Sequence, residues 1–268
     1  MSVLVWAGQH RLWMFGLGIV MLLVTAAAGV WFFVLRSPGT EVDLRQALRL
    51  YRQDDRGSTS ALAARLPRPG VYAYRTSGSE QLSFGDIGRQ FPSSSEMIVT
   101  DAGGCSTMRW VPLVQHSESI AVCPEADDAY RVESMSSKET IAGVQTTMVI
   151  RCPSSTYLVP PDPAAGDRWR STCASAGHQK IEVTGRVVGQ ARVEVGGRQM
   201  PALHTRLTLR FSGAESGTNP NDYWLSAGDG LVLRQRETVN VSQGAGPLGS
   251  VRYQETMAIG LRSAQPVR

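Results

Sequence analysis

The residues of most chemical interest are two glutamates that stand where apolar side chains belong. Leu231, Leu233, Val239 and Val241 recur with a period of two, and Gln235 and Glu237 fall in the same phase. On the following strand Val251, Tyr253, Met257, Ile259 and Leu261 share their face with Glu255. A turn centred near Gly246 opposes Val239 to Tyr253 and Glu237 to Glu255. Like charges directly opposite one another destabilise a sheet, and burial raises at least one carboxyl pKa. Two accounts are open. Either this face is solvated at mid-strand or met by an arginine from another strand, or Glu237, Glu255 and Gln235 line a partly wet cavity that receives a polar head group. Trp224 is a further candidate for a ligand groove, with Trp110 and Trp169. The competing role for such tryptophans is core or sheet surface.

Other chemistry is sparse. The histidines are His10, His116, His178 and His204, and none lies within chelating distance of another along the chain. No H-E-x-x-H, G-x-S-x-G, phosphate loop or paired C-x-x-C occurs. The sequence therefore leads us to expect no catalytic residue, no metal ligand and no cofactor. His204 sits in the polar phase of its strand beside Arg206, as a surface histidine would. Asp222, Ser226 and Asp229 are types that turns favour for backbone reasons. Cys105, Cys123, Cys152 and Cys173 are widely spaced and even in number, which suits two disulfides in an oxidising compartment. Three connectivities are possible. Pairing Cys105 with Cys123 and Cys152 with Cys173 is preferred, because each pair brackets a local loop.

Strands must carry these side chains. From Val71 the hydrophobic period becomes two, and Val71 to Tyr74 and Glu80 to Phe84 flank Ser77-Gly78 as a first hairpin. Met97 to Val99 reads as the next strand. Two more follow, around a turn at Gln115 to Glu118. Farther on, Ile181, Val183, Val187, Val193 and Val195 alternate with polar residues, as do Leu203, Leu207, Leu209 and Phe211. A two-residue Gly196-Gly197 loop would oppose Val193 to Met200 and turn the second series to the wrong face. A three-residue loop, Gly196 to Arg198, keeps one apolar face. The expected fold is mainly β: residues 69–268 form an antiparallel meander, curled into a curved sheet or partly open barrel. Residues 36–68 hold a solvated juxtamembrane helix at 40–53, capped by Thr40 with Asp43 three residues on, and then a linker.

Ahead of this domain, Leu12 to Leu35 is an uncharged run of 24 residues between Arg11 and Arg36. As a helix it spans ~36 Å, enough to cross the ~30 Å hydrocarbon core of a bilayer. Trp6, Trp13 and Trp31 suit the membrane boundary. A cleaved signal peptide competes, with Ala26-Ala27-Ala28 as its site. The apolar residues from Val30 to Leu35 favour an anchor that stays. All four cysteines lie beyond it, which places the domain outside and leaves residues 1–11 in the cytoplasm. The net charge of +4 comes from the N-terminal region, because basic and acidic residues balance at 19 each from Pro69 on. The domain therefore has no basic footprint for nucleic acid.

The pattern V-x-V-G-G-R at 193–198, with D-Y-W-L at 222–225 and G-L-V-L-R at 230–234, carries a resemblance. Over residues 180–262 the chain resembles uncharacterised actinobacterial signal-anchored exported proteins with lipoprotein-carrier-like curved sheets. The resemblance implies an apolar ligand held in the concavity of the sheet, and it transfers no functional residue. The function expected is a membrane-tethered, non-enzymatic binding module for an apolar or amphipathic ligand or a cell-envelope partner. Its first partner is the bilayer itself, through residues 12–35. The alternative is an envelope hydrolase or transferase whose site is assembled from loops.

Overall fold

Among the described residues, fourteen strands form one antiparallel sheet: β1 (Gly70–Leu82), β2 (Ile87–Gln90), β3 (Ser94–Asp101), β4 (Ser106–Leu113), β5 (His116–Pro124), β6 (Tyr130–Ile141), β7 (Val144–Arg151), β8 (Tyr157–Val159), β9 (Arg168–Ser175), β10 (Lys180–Val195), β11 (Arg198–Ser212), β12 (Glu215–Ser226), β13 (Val232–Gly244) and β14 (Ser250–Leu261). The computed structural model describes residues 39–54, 65–83, 87–141, 144–175, 179–213, 215–244 and 249–268. The expected tail at 1–11 and membrane helix at 12–35 lie outside the described residues. Among the described residues, no helix is long and apolar enough to cross a membrane.

Neighbours in the sheet follow chain order, as a meander requires, with β2 and β8 set aside: β2 lies along β1, and β8 pairs with β6. The last strand then returns to the first. β14 pairs with β1 from Tyr74↔Leu261 to Leu82↔Tyr253, so the sheet closes into a ring. Closure pairs the first and last strands, which an open sheet would leave as edges available to other chains. The seam between β7 and β9 is short, with Ile150↔Ser175 and Arg151↔Ala174 paired. Inward-facing side chains from most of the ring make one apolar core, which includes Tyr72, Tyr74, Val99, Val132, Ile181 and Leu233.

Both disulfides join the expected partners, Cys105 to Cys123 and Cys152 to Cys173. The first bridges the start of β4 to β5. The second joins the residue after β7 to β9, at the short seam. Each closure stabilises by roughly 2–4 kcal/mol in the loop-entropy picture.

Three expectations need correction. Ser77-Gly78 is not a turn, because β1 runs through it without a break. Gly78 has φ +137°, and a Cβ there would sit 1.9 Å from the Thr256 carbonyl oxygen on β14. Glycine is required by the close approach of the neighbouring strand, and a Ser-Gly pair looks like a turn only when that neighbour is unknown. The loop between β10 and β11 is the two-residue Gly196-Gly197 turn, both glycines having positive φ, and Val193 does oppose Met200. The face is rescued farther along by a bulge at Val188, after which Val187 opposes Thr205 and Val183 opposes Leu209.

The third correction concerns the helix α1 (Leu44–Asp54), expected as a solvated stalk. It packs on the outer face of the ring. Ala47 and Tyr51 are buried with Val42 against Val71, Ile98 and Val111. Its cap is Asp43, whose Oδ1 accepts from the Gln46 N–H at 2.7 Å. Thr40 instead donates its N–H to Gln115.

Beside this helix Glu96 is buried on β3, with Oε2 lacking a hydrogen-bond partner. Burial pushes its carboxyl up to about 7, with Arg262 opposing and Asp43 adding to the rise. A raised folded pKa means that this group's stabilisation is full below the ordinary carboxylate value and is lost as pH rises through about 7. Glu96→Gln is expected to melt above the parent at pH 8 and level with it at pH 5. Solvent screening caps the gain at about 1 kcal/mol, or ~2–4 °C for a domain of this size. Melting curves at the two pH values check this, and an equal difference at both would count against it.

Candidate ligand cavity

The ring is not filled to its centre. A cavity of about 480 Å³ lies inside it, in the ~300–1,000 Å³ range of small-molecule sites. Its apolar lining includes Met97, Met108, Trp110, Met148, Leu209 and Phe211. Methionine's unbranched, polarisable side chain adapts to irregular apolar shapes. Leu82, Ile141, Glu215, Gln243 and Val251 also line it, each close to a strand end at the same rim of the ring.

Polar side chains stand among these: Leu209 opposes Asn219 across β11–β12, and Trp110 opposes Glu118 across β4–β5. Glu237 accepts from Asn219 Nδ2 at 2.7 Å through Oε1 and from Gln235 Nε2 at 3.1 Å through Oε2. Asn221 ties these together, donating to Asn219 and accepting from Gln235. Pleating aligns Asn219 with Asn221 and Gln235 with Glu237, since residues two apart share a face. Glu255 is reached by Tyr253 Oη at 2.6 Å, and the same hydroxyl lies 2.7 Å from Glu80 Oε2.

Glu80 organises what lies behind these groups. It stands directly opposite Glu255 across the closing pair β1–β14. His116 Nδ1 contacts Glu80 Oε2 at 2.9 Å, and Arg89 Nε donates to its other oxygen. Glu80, His116 and Glu255 are all essentially without solvent contact. Burial alone would raise Glu80, but the His116 hydrogen bond, its charge and Arg89 together hold the carboxyl below its usual value. Glu255 has no such arginine, and burial pushes it up to about 8 against the pull of His116. Burial would lower His116, yet Glu255 and Glu80 outweigh it and carry the imidazole up to about 9. Glu118 is driven well above the usual range by burial, then by Glu237 and Glu255.

Of the residues singled out in the sequence, Gln235, Glu237 and Glu255 all line the cavity. Their pairing is offset from that expected. Val239 opposes Glu255 and Glu237 opposes Met257, so the two carboxylates are diagonal neighbours on one face. The carboxylate directly facing Glu255 is Glu80, and the cationic groups that meet it come from other strands. Trp224 does not line the cavity. Tyr223 takes the inward position, and Trp224, its neighbour along β12, must point to the opposite face. There it stacks on His204 at 4.1 Å between ring centroids, with the Arg234 guanidinium 5.1 Å from its centroid. His204 Nε2 contacts Asp222 at 2.7 Å, and Asp222 also takes both arms of Arg206.

The residues missed are His116, Glu80, Glu118, Glu139 and Glu215. The turn expected at Gln115 to Glu118 takes in His116, but the turn is only Val114-Gln115, and Leu113 already opposes His116. A shorter turn would have revealed His116, Glu118, Ile120 and Val122 as one alternating face.

The chain matches no family model and no curated protein. Among solved structures it is similar to the hypothetical lipoprotein YmcC from Escherichia coli (K12). The identity is 11%, the TM-score 0.33, and the match covers 80% of this chain and 96% of that one.

Proposed function

We propose that the protein is a membrane-tethered, extracytoplasmic binding module that holds an amphipathic ligand inside its ring and performs no reaction on it. The observation that carries this reading is the cavity itself, whose lining combines methionines and aromatics with amides and carboxyls. Its lining includes five glutamates, Glu118, Glu139, Glu215, Glu237 and Glu255, and among the described residues no lysine or arginine. With no basic side chain in the lining, nothing there would neutralise an anionic head group, so the polar end of the ligand is neutral or cationic. Apolar contact supplies the affinity, and the hydrogen-bonding groups of Gln235, Glu237, Asn219 and Asn221 fix where the polar end sits.

The test is a series of amphiphiles with one chain and different heads. A secreted form beginning at residue 39, treated with chelator, is titrated with dodecyl maltoside, dodecyltrimethylammonium and dodecyl phosphate below their micelle concentrations. The neutral and cationic members are expected to saturate the protein, and the anionic one to bind at least ~10-fold more weakly, about 1.4 kcal/mol. Equal or tighter binding of the phosphate would overturn the reading.

The tether rests on the apolar run from Leu12 to Leu35, and the outside location on the two disulfides. Protease added to intact spheroplasts is expected to digest the chain beyond Pro38. Its protection until the membrane is broken would reverse the topology.

A further inference from the structure

The sharpest unexplained feature of the cavity wall is a pair of buried polar atoms with nothing to bind. His116 is 1% exposed and Glu255 2%, yet neither His116 Nε2 nor Glu255 Oε1 has a hydrogen-bond partner. They point toward each other at 3.8 Å. Glu118 Oε1 lies at the same 3.8 Å from Nε2. A hydrogen bond to a ring nitrogen needs ~2.7–3.2 Å, so these contacts are too long to satisfy the atoms. A buried polar group left without a partner is destabilising unless something fills the gap.

We propose that His116 Nε2 and Glu255 Oε1 bind a divalent first-row metal ion of the zinc class, at the boundary between the buried charge cluster and the cavity, with Glu118 turning in from its place beside Nε2 as the third ligand. Zinc lies ~2.0–2.2 Å from imidazole nitrogen and carboxylate oxygen. Two donors on one ion can therefore be up to ~4.2 Å apart, and a 3.8 Å gap admits the ion between them.

The supporting groups are those that a metal-ligating histidine uses. The other ring nitrogen, Nδ1, is 2.9 Å from Glu80 Oε2, an arrangement that fixes the tautomer and leaves Nε2 free to ligate. Glu80 is held in turn by Arg89 and by Tyr253 Oη. The same tyrosine fixes Glu255 through Oε2, leaving Oε1 as the ligating atom. Glu80, His116 and Glu255 each bring a donor atom within 4.8 Å of the others. One imidazole with two carboxylates suits zinc and its neighbours better than magnesium or calcium, which favour oxygen-only sets. Glu118 and Glu255 both line the cavity, so the remaining coordination position opens into it, where a water or a neutral donor of a bound ligand completes the shell. The second candidate group, Cys105, Cys123 and Glu133, is closed to metal because both sulfurs are in a disulfide.

The site does not depend on the amphiphile reading, and it is tested without one. Full-length protein stripped with chelator and titrated with Zn²⁺ is expected to bind one ion per chain. Glu255→Gln and His116→Gln should each weaken binding at least ~100-fold, and the positioning variant Glu80→Gln ~10–100-fold. His204→Gln, at the outer pair with Asp222, should leave it unchanged. Crystals of the parent soaked in Zn²⁺ give a readout that needs no variant: a zinc-edge anomalous peak is expected among His116 Nε2, Glu118 and Glu255. No stoichiometric binding, a peak elsewhere, or binding lost in His204→Gln and kept in His116→Gln would overturn the proposal.

Discussion

Replacing His116 with leucine is expected to destabilise the metal-free protein by about 3–5 kcal/mol, the usual cost of removing one partner from a buried charge pair. The imidazole lies beside both carboxyl groups that the β1–β14 pairing sets face to face, Glu80 and Glu255. Without it Glu80 keeps Arg89 and Tyr253, while Glu255 keeps Tyr253. Neither carboxylate can reach bulk water, because both sit at 2% exposure or less. The loss should concentrate at the closing seam of the ring. Urea unfolding of parent and variant in chelator measures it, and hydrogen exchange along β1 and β14 locates it. A cost under about 1 kcal/mol would mean that the cluster is not the charge-balanced unit described. Replacing Glu80 and His116 together by leucine should recover part of the loss, since burying neither charge is often no worse than burying both.

The second large effect is expected at the other weak seam. Converting Cys152 and Cys173 to serine should cost roughly 2–4 kcal/mol. β7 and β9 share two residue pairs, and the bridge lies immediately beside them. Opening that seam would also loosen a cavity wall, because Met148 and Ile150 of β7 face inward. The Cys105–Cys123 bridge makes a useful contrast. It spans β4 and β5, which are already paired from Ser106↔Val122 to Trp110↔Glu118. Its removal should lower stability without exposing β7 and β9 amides to exchange. Equal exchange patterns from the two double variants would contradict this division of roles.

How far the sequence disclosed the site depended on whether a register could be followed. Along β13 and β14 the alternation is long and clean, so Gln235, Glu237 and Glu255 could be recognised as polar residues in an apolar phase. A turn centred at Gly246 lies one residue too early, which shifts the pairing by two without changing the face. Along β1 the same logic failed at Gly78, because breaking the strand there separated Glu80 from the phase of Tyr72 and Tyr74. Along β5 a turn drawn too long hid His116 and Glu118. The bulge at Val188 reconciles a two-residue turn with an unbroken apolar face, and its trace in the sequence is the neighbouring Gly189, an isolated glycine within a strand whose φ is +147°. Trp224 was attractive for its type, yet its adjacency to the inward Tyr223 already determined that both could not face the cavity. Disulfide partners were legible because each pair closes a short local loop, whereas closure of β14 onto β1 is a contact between the two ends of the domain that no local pattern encodes.

The most direct test of the central claim is where an amphiphile's chain lies when bound. Crystals of the residue 39–268 domain grown with a neutral maltoside bearing a bromine near the end of its alkyl chain would report this through bromine anomalous scattering. The predicted peak falls inside the ring, among Met148, Leu209 and Trp110, with the sugar toward Glu237 and Gln235. A peak confined to the outer surface, beside Trp224 or α1, with the interior free of the chain, would contradict the account.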